Sequence, residues 1–86
     1  MREAQTARRW YADRDPAAAE AFMAELDHAV QAITRLPDAW PQFEAGTRRR
    51  LLRRFPYCLI YRRREELIEV VAVMHEKREP GYWRSR

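Results

Sequence analysis

Residues 48–83, RRRLLRRFPYCLIYRRREELIEVVAVMHEKREPGYW, decide the fold because they carry an almost continuous pattern of β-strands. Three runs rich in apolar, aromatic and β-branched residues span residues 48–55, 57–63 and 67–74. Polar residues 64–66 form a tight turn between the last two runs. The stretch therefore predicts three consecutive strands of a small antiparallel sheet.

Strict alternation assigns the side chains of these strands to two faces of the sheet. In the middle strand, one face carries Tyr57, Leu59 and Tyr61, and the other carries Cys58 and Ile60. In the last strand, one face carries Ile68, Val70, Ala72 and Met74, and the other carries Leu67, Val71 and Val73. Both faces are partly apolar. One can pack on helices, whereas the other needs cover from the C-terminal tail, from a partner, or from both.

The residues before the sheet predict helices. Ala4, Ala7 and Tyr11 recur at helical spacing, which predicts a short amphipathic helix over about residues 3–13. Only a few residues separate this helix from the next helical pattern. Two helices joined so closely should pack as an antiparallel hairpin, and their shared apolar face should cover one face of the sheet.

The second helix is the best-specified element of the chain. It begins with Asp15 as N-cap and Pro16 at the first helical position, and its pattern extends over residues 16–36. Its apolar stripe consists of Phe22, Leu26, Ala29, Ile33 and Leu36, with Met23 and Val30 alongside. The predicted fold class is therefore α+β: an N-terminal helical hairpin packed on a small antiparallel sheet, with all 86 residues in a single domain.

Positive charge is concentrated in the second half of the chain. The formal net charge is +4, yet residues 1–43 hold five arginines against seven acidic residues. Residues 44–86 hold twelve basic residues against six acidic ones, and residues 48–64 hold eight arginines and no acid. A sheet with that charge attracts polyanions.

Several classes of protein are disfavoured by the composition. Cys58 is the single cysteine and lies in an apolar run, so an internal disulfide is excluded and a reduced core thiol is expected. The sequence contains no cluster of metal ligands, and we expect neither a metal nor a cofactor. No apolar run is long enough to span a membrane, and the N-terminus lacks the apolar segment of a signal peptide. A cytoplasmic location is therefore expected.

Several motifs follow one another in an order typical of a known family. A loop containing Trp40 and Pro41 precedes R-x-x-L-L-x-R-F-P-Y at residues 48–57, and the next strand ends in Tyr61. The motif A-V-x-H-x-x-R-x-P-x-Y-W then spans residues 72–83. Over residues 10–86 the chain resembles the RelE/ParE superfamily of type II toxins. Family members carry one further strand before the first helix, whereas this sequence opens on the helix, so the family's first strand is expected to be absent.

The resemblance implies a toxin of a bacterial type II toxin–antitoxin module, linked to plasmid stabilisation and growth inhibition. Its implied partner is a cognate antitoxin, in a heterodimer or heterotetramer. Two activities follow from the family: ParE-like inhibition of DNA gyrase, or RelE-like, metal-independent cleavage of mRNA on the ribosome. RNA-cleaving members rely on cationic side chains and a tyrosine, and the expected lysines are missing here, since Lys77 is the sole lysine. This favours the gyrase branch, and a third hypothesis is an inactive remnant that binds nucleic acid.

Antiparallel pairing should gather the candidate site residues at one end of the sheet. The candidates for catalysis are His75, Arg78 and Tyr82, and those for binding nucleic acid or the target are Arg50, Arg53 and Arg54. Among these, only an imidazole titrates near neutral pH without help. His75 is thus a candidate general acid or base and Arg78 a candidate phosphate clamp.

Structural interpretations of these residues compete with the functional ones. His75 can instead hydrogen-bond the tail, and Arg78 can fix the tail through a salt bridge; we favour this interpretation for both. Tyr57 and Tyr61 can stack bases as in single-strand binders, although packing under the helices is the preferred explanation. Arginines 62–64 flank a turn beside two glutamates, which indicates a solvated hairpin.

Overall fold

A computed structural model describes residues 2–77, which form two helices followed by three strands. The elements are α1 (Arg2–Arg14), α2 (Pro16–Arg35), β1 (Arg48–Leu51), β2 (Tyr57–Arg64) and β3 (Leu67–His75), with a short 3-10 turn at Glu44–Gly46. The strands form one antiparallel sheet in the order β1-β2-β3. The predicted α+β class and the order of its elements are confirmed.

The junction between the helices is a single residue with the predicted capping chemistry. The Asp15 side chain accepts a hydrogen bond from the backbone N–H of Ala17 at 3.1 Å, and Pro16 occupies the first turn. The predicted stripe is buried at Phe22, Leu26, Ala29 and Ile33. Leu36 is the exception, because α2 ends at Arg35 and Leu36 has a non-helical φ of −134° ahead of Pro37, which leaves it 62% exposed.

The main core lies between the helical hairpin and one face of the sheet. Buried residues of both helices meet Leu59, Tyr61 and Val73 from the strands. The Tyr61 hydroxyl donates a hydrogen bond to the Pro37 carbonyl at 2.6 Å, and burial raises the pKa of this phenol. Tyr61 is therefore a packed and satisfied core residue, as expected from the structural interpretation.

The pairing of β3 with β2 is interrupted by a β-bulge. Ala72 lies opposite Ile60, whereas Val70 lies opposite Tyr61, so Val71 is an extra residue on the β3 side. The prediction that four alternate residues of β3 share a face is wrong for this reason. Ile68 and Val70 pack with the helix-facing core, while Ala72 and Met74 lie on the opposite face.

The second face of the sheet has a smaller core of its own. Its buried members are Cys58, Ile60, Ala72 and Met74, and Phe43 and Val71 pack against them. Burial raises the pKa of the Cys58 thiol to about 11, so the thiol is protonated at neutral pH. The tail expected to cover this face, residues 78–86, lies outside the described residues.

The first strand is shorter than its sequence predicts. Pairing of β1 stops at Leu51, opposite Cys58, and residues 52–56 form a loop rather than strand. The loop is closed by a hydrogen bond of 2.9 Å from the Leu52 N–H to the Tyr57 carbonyl. Arg53 and Arg54 therefore lie in a loop, where they were predicted to lie on a strand.

No helix within residues 2–77 is long and apolar enough to cross a membrane.

Candidate functional site

The end of the sheet predicted to carry the site does bring the relevant elements together. Leu51 pairs with Cys58 and Tyr57 pairs with His75, so the end of β1, the start of β2 and the end of β3 coincide. The 52–56 loop and His75 therefore share one end of the sheet. Arg78 and Tyr82, the other two candidates for catalysis, lie outside the described residues.

A cleft of about 540 Å³ opens at this end between α2 and the 52–56 loop, and we refer to it as the α2 cleft. It is lined by Ala24, Glu25, His28, Arg50, Arg53 and Arg54. The three arginines predicted to bind a target thus line one cleft. The two polar residues from α2 were not anticipated, because no local pattern indicates which loop the flank of a helical stripe will meet.

Glu25 fixes the backbone of the loop that forms one wall of the α2 cleft. Its carboxylate accepts hydrogen bonds from the backbone N–H groups of Arg53 and Arg54, the latter at 3.3 Å. The Arg54 Nε lies 3.6 Å from the same carboxylate, and the Glu25 side chain is only 12% exposed. The register of β1 with β2 places residues 53 and 54 opposite residues 56 and 55, so they form the hairpin loop, and Glu25 binds two N–H groups that this loop leaves without a strand partner.

Arg50 forms the opposite wall and has an incomplete set of hydrogen bonds. It pairs with Leu59, so its side chain lies on the helix-facing side of the sheet. Its guanidinium carbon lies 5.0 Å from the centroid of the Trp40 ring, a cation–π arrangement. The Arg50 Nε is buried and has no hydrogen-bond partner. The fold thus leaves one buried donor of Arg50 without an acceptor among the described residues.

The other two arginines of the RRR run have structural partners. The Arg48 side chain donates to the Trp40 carbonyl at 2.6 Å and lies 3.7 Å from an Asp38 carboxylate oxygen. Arg49 faces the other side of the sheet, where its guanidinium carbon is 4.8 Å from the centroid of Phe43. Alternation along β1 thus places Arg48 and Arg50 on the helix-facing side and Arg49 on the other, and of these three arginines Arg50 lines the α2 cleft.

His75 lies at the same end of the sheet but does not line the α2 cleft. Its Nδ1 accepts a hydrogen bond of 3.1 Å from the Lys77 backbone N–H. Its ring meets the Tyr57 ring edge-on, with the centroids 5.1 Å apart, and Tyr57 in turn contacts Phe22. One ring nitrogen of His75 is therefore hydrogen-bonded to the backbone, which is consistent with a structural role for this residue.

The arginines at the β2–β3 hairpin form the solvated ion pairs expected of a turn. The Arg62 Nε lies 2.6 Å from Glu69, and Arg64 lies 3.6 Å from the same carboxylate. The hydrogen bond from Arg62, assisted by both positive charges, lowers the pKa of Glu69. Arg63 is exposed at this opposite end of the sheet and provides a matched control for the arginines of the α2 cleft.

Within residues 2–77, no group of three or more histidine, cysteine or acidic side chains is placed to hold a metal ion. The side chains that line the α2 cleft supply guanidinium groups, one carboxylate and an imidazole. Guanidinium groups bind carboxylates and phosphates through paired hydrogen bonds. The arrangement is suited to binding an anionic group.

The chain matches the family described as "ParE toxin of type II toxin-antitoxin system, parDE" over residues 1–80. The matched region contains all elements of the fold and every residue of the α2 cleft, as well as His75 and Arg78; Tyr82 lies beyond it. No curated protein and no solved structure shows significant similarity to the chain.

Proposed function

Because the chain belongs to the ParE toxin family of type II toxin–antitoxin systems, we propose that it inhibits DNA gyrase in the bacterial cytoplasm and is held inactive by its antitoxin. The family match over residues 1–80 carries this proposal. A toxin of such a module has a cognate antitoxin as its partner. The two-helix, three-stranded fold is consistent with the RelE/ParE fold.

The chemistry of the described site supports the gyrase branch over the RNA-cleaving branch. The cationic side chains of the α2 cleft are arginines, and arginine is too basic to give up a proton in catalysis. His75 keeps one ring nitrogen on the Lys77 backbone. An RNA-cleaving centre would have to move protons through a histidine or a tyrosine, such as His28, His75 or Tyr82. A surface that only binds its target does not need a group that transfers protons.

We assign target binding to Arg50, Arg53 and Arg54 as part of the same proposal. Their shared cleft, the packing of Arg50 on Trp40 and its buried Nε without an acceptor support this assignment. An arginine held in place by an aromatic ring loses little side-chain freedom when it binds an anionic group.

Controlled expression in bacteria, with pulse labelling of DNA and protein synthesis, tests the proposal. We expect DNA synthesis to stop first while mRNA stays intact, and the double variant R50Q/R53Q to arrest growth less than the control R63Q. Early arrest of translation with cleaved mRNA, abolished in H75A or Y82F, would replace the proposal with the RNA-cleaving function. If no variant or wild-type chain arrests growth, the chain is a binding remnant.

A further inference from the structure

The α2 cleft contains two guanidinium groups whose hydrogen-bond donors are not all satisfied within the described residues. The Arg50 Nε is buried without an acceptor, and the Arg53 guanidinium has no hydrogen-bond or ion-pair partner within residues 2–77. Glu25 does not serve either group, because its carboxylate is bound to the loop N–H groups and to Arg54. The cleft therefore has donors for one more anionic group.

We propose that a single carboxylate from an acidic segment of the antitoxin occupies the α2 cleft. Arg50 and Arg53 bind it, and Glu25 acts as a positioning residue that holds the loop bearing Arg53. The identity of the partner rests on the proposed function, since a type II toxin has an antitoxin. The antitoxin thus covers the same arginines that we assign to target binding, which gives neutralisation a simple steric basis.

The geometry of Arg50 suits a carboxylate. The Nε and one terminal nitrogen of a guanidinium group lie on one edge, where a carboxylate can accept two parallel hydrogen bonds. In Arg50 the Nε is buried and has no acceptor within residues 2–77. The Trp40 ring beside the guanidinium restricts its position, so the edge is already oriented. His28 lines the same cleft and offers an additional N–H donor.

Charges on α2 favour an isolated carboxylate over a nucleic-acid strand. Glu20 and Asp27 are exposed and lie four residues before and three residues after Ala24, so they share its side of the helix. A nucleic acid carries a phosphate at every nucleotide, and phosphates beyond the cleft would face these two acids. A protein segment can place one acidic side chain in the cleft and neutral or basic residues along α2.

Arginine Nε–Hε NMR signals of the full chain provide a direct readout. The probes are the peptide acetyl-Leu-Glu-Ala-Glu-Leu-amide, the same peptide with glutamine in place of glutamate, and the octanucleotide rU8. We expect the acidic peptide to shift the Arg50 Nε signal saturably and to bind about ten-fold more tightly than the glutamine peptide. The antitoxin encoded in the same module should shift the same signal.

Variants separate direct binding from positioning. R50Q and R53Q should each raise the Kd for the acidic peptide about ten-fold, whereas the Kd of R63Q should stay within about two-fold of the wild-type value. If Glu25 acted only through its negative charge, E25A would strengthen peptide binding. The positioning role predicts that E25A weakens it and that E25Q, which keeps one acceptor oxygen for the loop, recovers most of the loss. Circular dichroism establishes that each variant is folded.

Three results would overturn the inference: an Arg50 signal unmoved by the acidic peptide, tighter binding of rU8 than of the peptide, or stronger peptide binding by E25A. Its failure can be told apart from failure of the proposed function. If the chain binds the peptide but does not arrest growth, the toxin activity is refuted and carboxylate binding in the α2 cleft is still supported. If the chain arrests growth but does not bind the peptide, carboxylate binding in the α2 cleft is refuted and the toxin activity is still supported.

Discussion

Removing the carboxylate of Glu25 should destabilise the protein, because this side chain joins α2 to the 52–56 loop. Glu25→Ala deletes two hydrogen bonds from backbone N–H groups to a charged acceptor. Hydrogen bonds to charged groups contribute about 1.5–3 kcal/mol each. Both N–H groups belong to exposed loop residues, so water can replace part of what is lost. We therefore expect less than the roughly 3 kcal/mol that two such bonds would contribute at the low end of this range, about 2 kcal/mol in the free energy of unfolding.

The ion pair with Arg54 adds little to this figure, since the Arg54 side chain is 69% exposed. Urea unfolding followed by circular dichroism measures the effect, and a loss of about 2 kcal/mol corresponds to roughly 10 °C in Tm for a domain of this size. The matched control is Glu20→Ala, an exposed acid on the same helix, which should change stability by less than about 0.5 kcal/mol. A Glu25→Ala variant as stable as the Glu20→Ala control would refute the anchoring role.

Three further predictions concern residues outside the α2 cleft. Tyr61→Phe removes the hydrogen bond to the Pro37 carbonyl and should cost about 1–2 kcal/mol in urea unfolding, with an unchanged m-value. The buried Cys58 thiol, with its pKa raised to about 11, should react with a thiol reagent at neutral pH only as fast as the protein unfolds; rapid reaction in the native state would contradict its burial. The folded-state pKa of Glu69 lies below its ordinary value of 4.5, so its pairing with Arg62 stabilises the fold above pH 4.5. This contribution is lost as the pH falls through the folded-state pKa. The free energies of unfolding of wild type and Glu69→Gln should therefore differ at pH 7 and converge in acid.

Local signals in the sequence predict most of the fold. Asp15 followed by Pro16 locates the start of α2, and the spacing of Phe22, Leu26 and Ile33 locates its buried face. These signals succeed because capping and helical periodicity act within a few residues of the chain. The turn between β2 and β3 is predicted at residues 64–66 for the same reason, and it lies at residues 65–66.

The errors of prediction come from interactions between distant parts of the chain. β1 ends at Leu51 because its register with β2 makes residues 53–56 the hairpin loop, and the N–H groups of this loop bind a carboxylate on α2, 28 residues before Arg53 in sequence. The alternation of β3 fails at Val71 because an unpaired residue changes the phase of the pattern without changing its composition. Neither event leaves a local trace in a single sequence.

The candidate site was predicted unevenly for the same physical reasons. Sequence pattern identified Arg50, Arg53 and Arg54 as a group, since they stand in a run without acidic residues. It did not identify Glu25, because a glutamate on the flank of an amphipathic helix is indistinguishable from an ordinary solvent-exposed one. The side chain becomes distinctive only when the tertiary fold places it under a loop.

Inhibition of purified DNA gyrase tests the proposed function most directly. Gyrase, relaxed plasmid and ATP are incubated with the wild-type chain, with R50Q/R53Q and with R63Q. The proposed function predicts that the wild type and R63Q block supercoiling, that R50Q/R53Q does so at least about ten-fold less effectively, and that added antitoxin restores supercoiling. Undiminished supercoiling in a large excess of folded wild-type chain would contradict it.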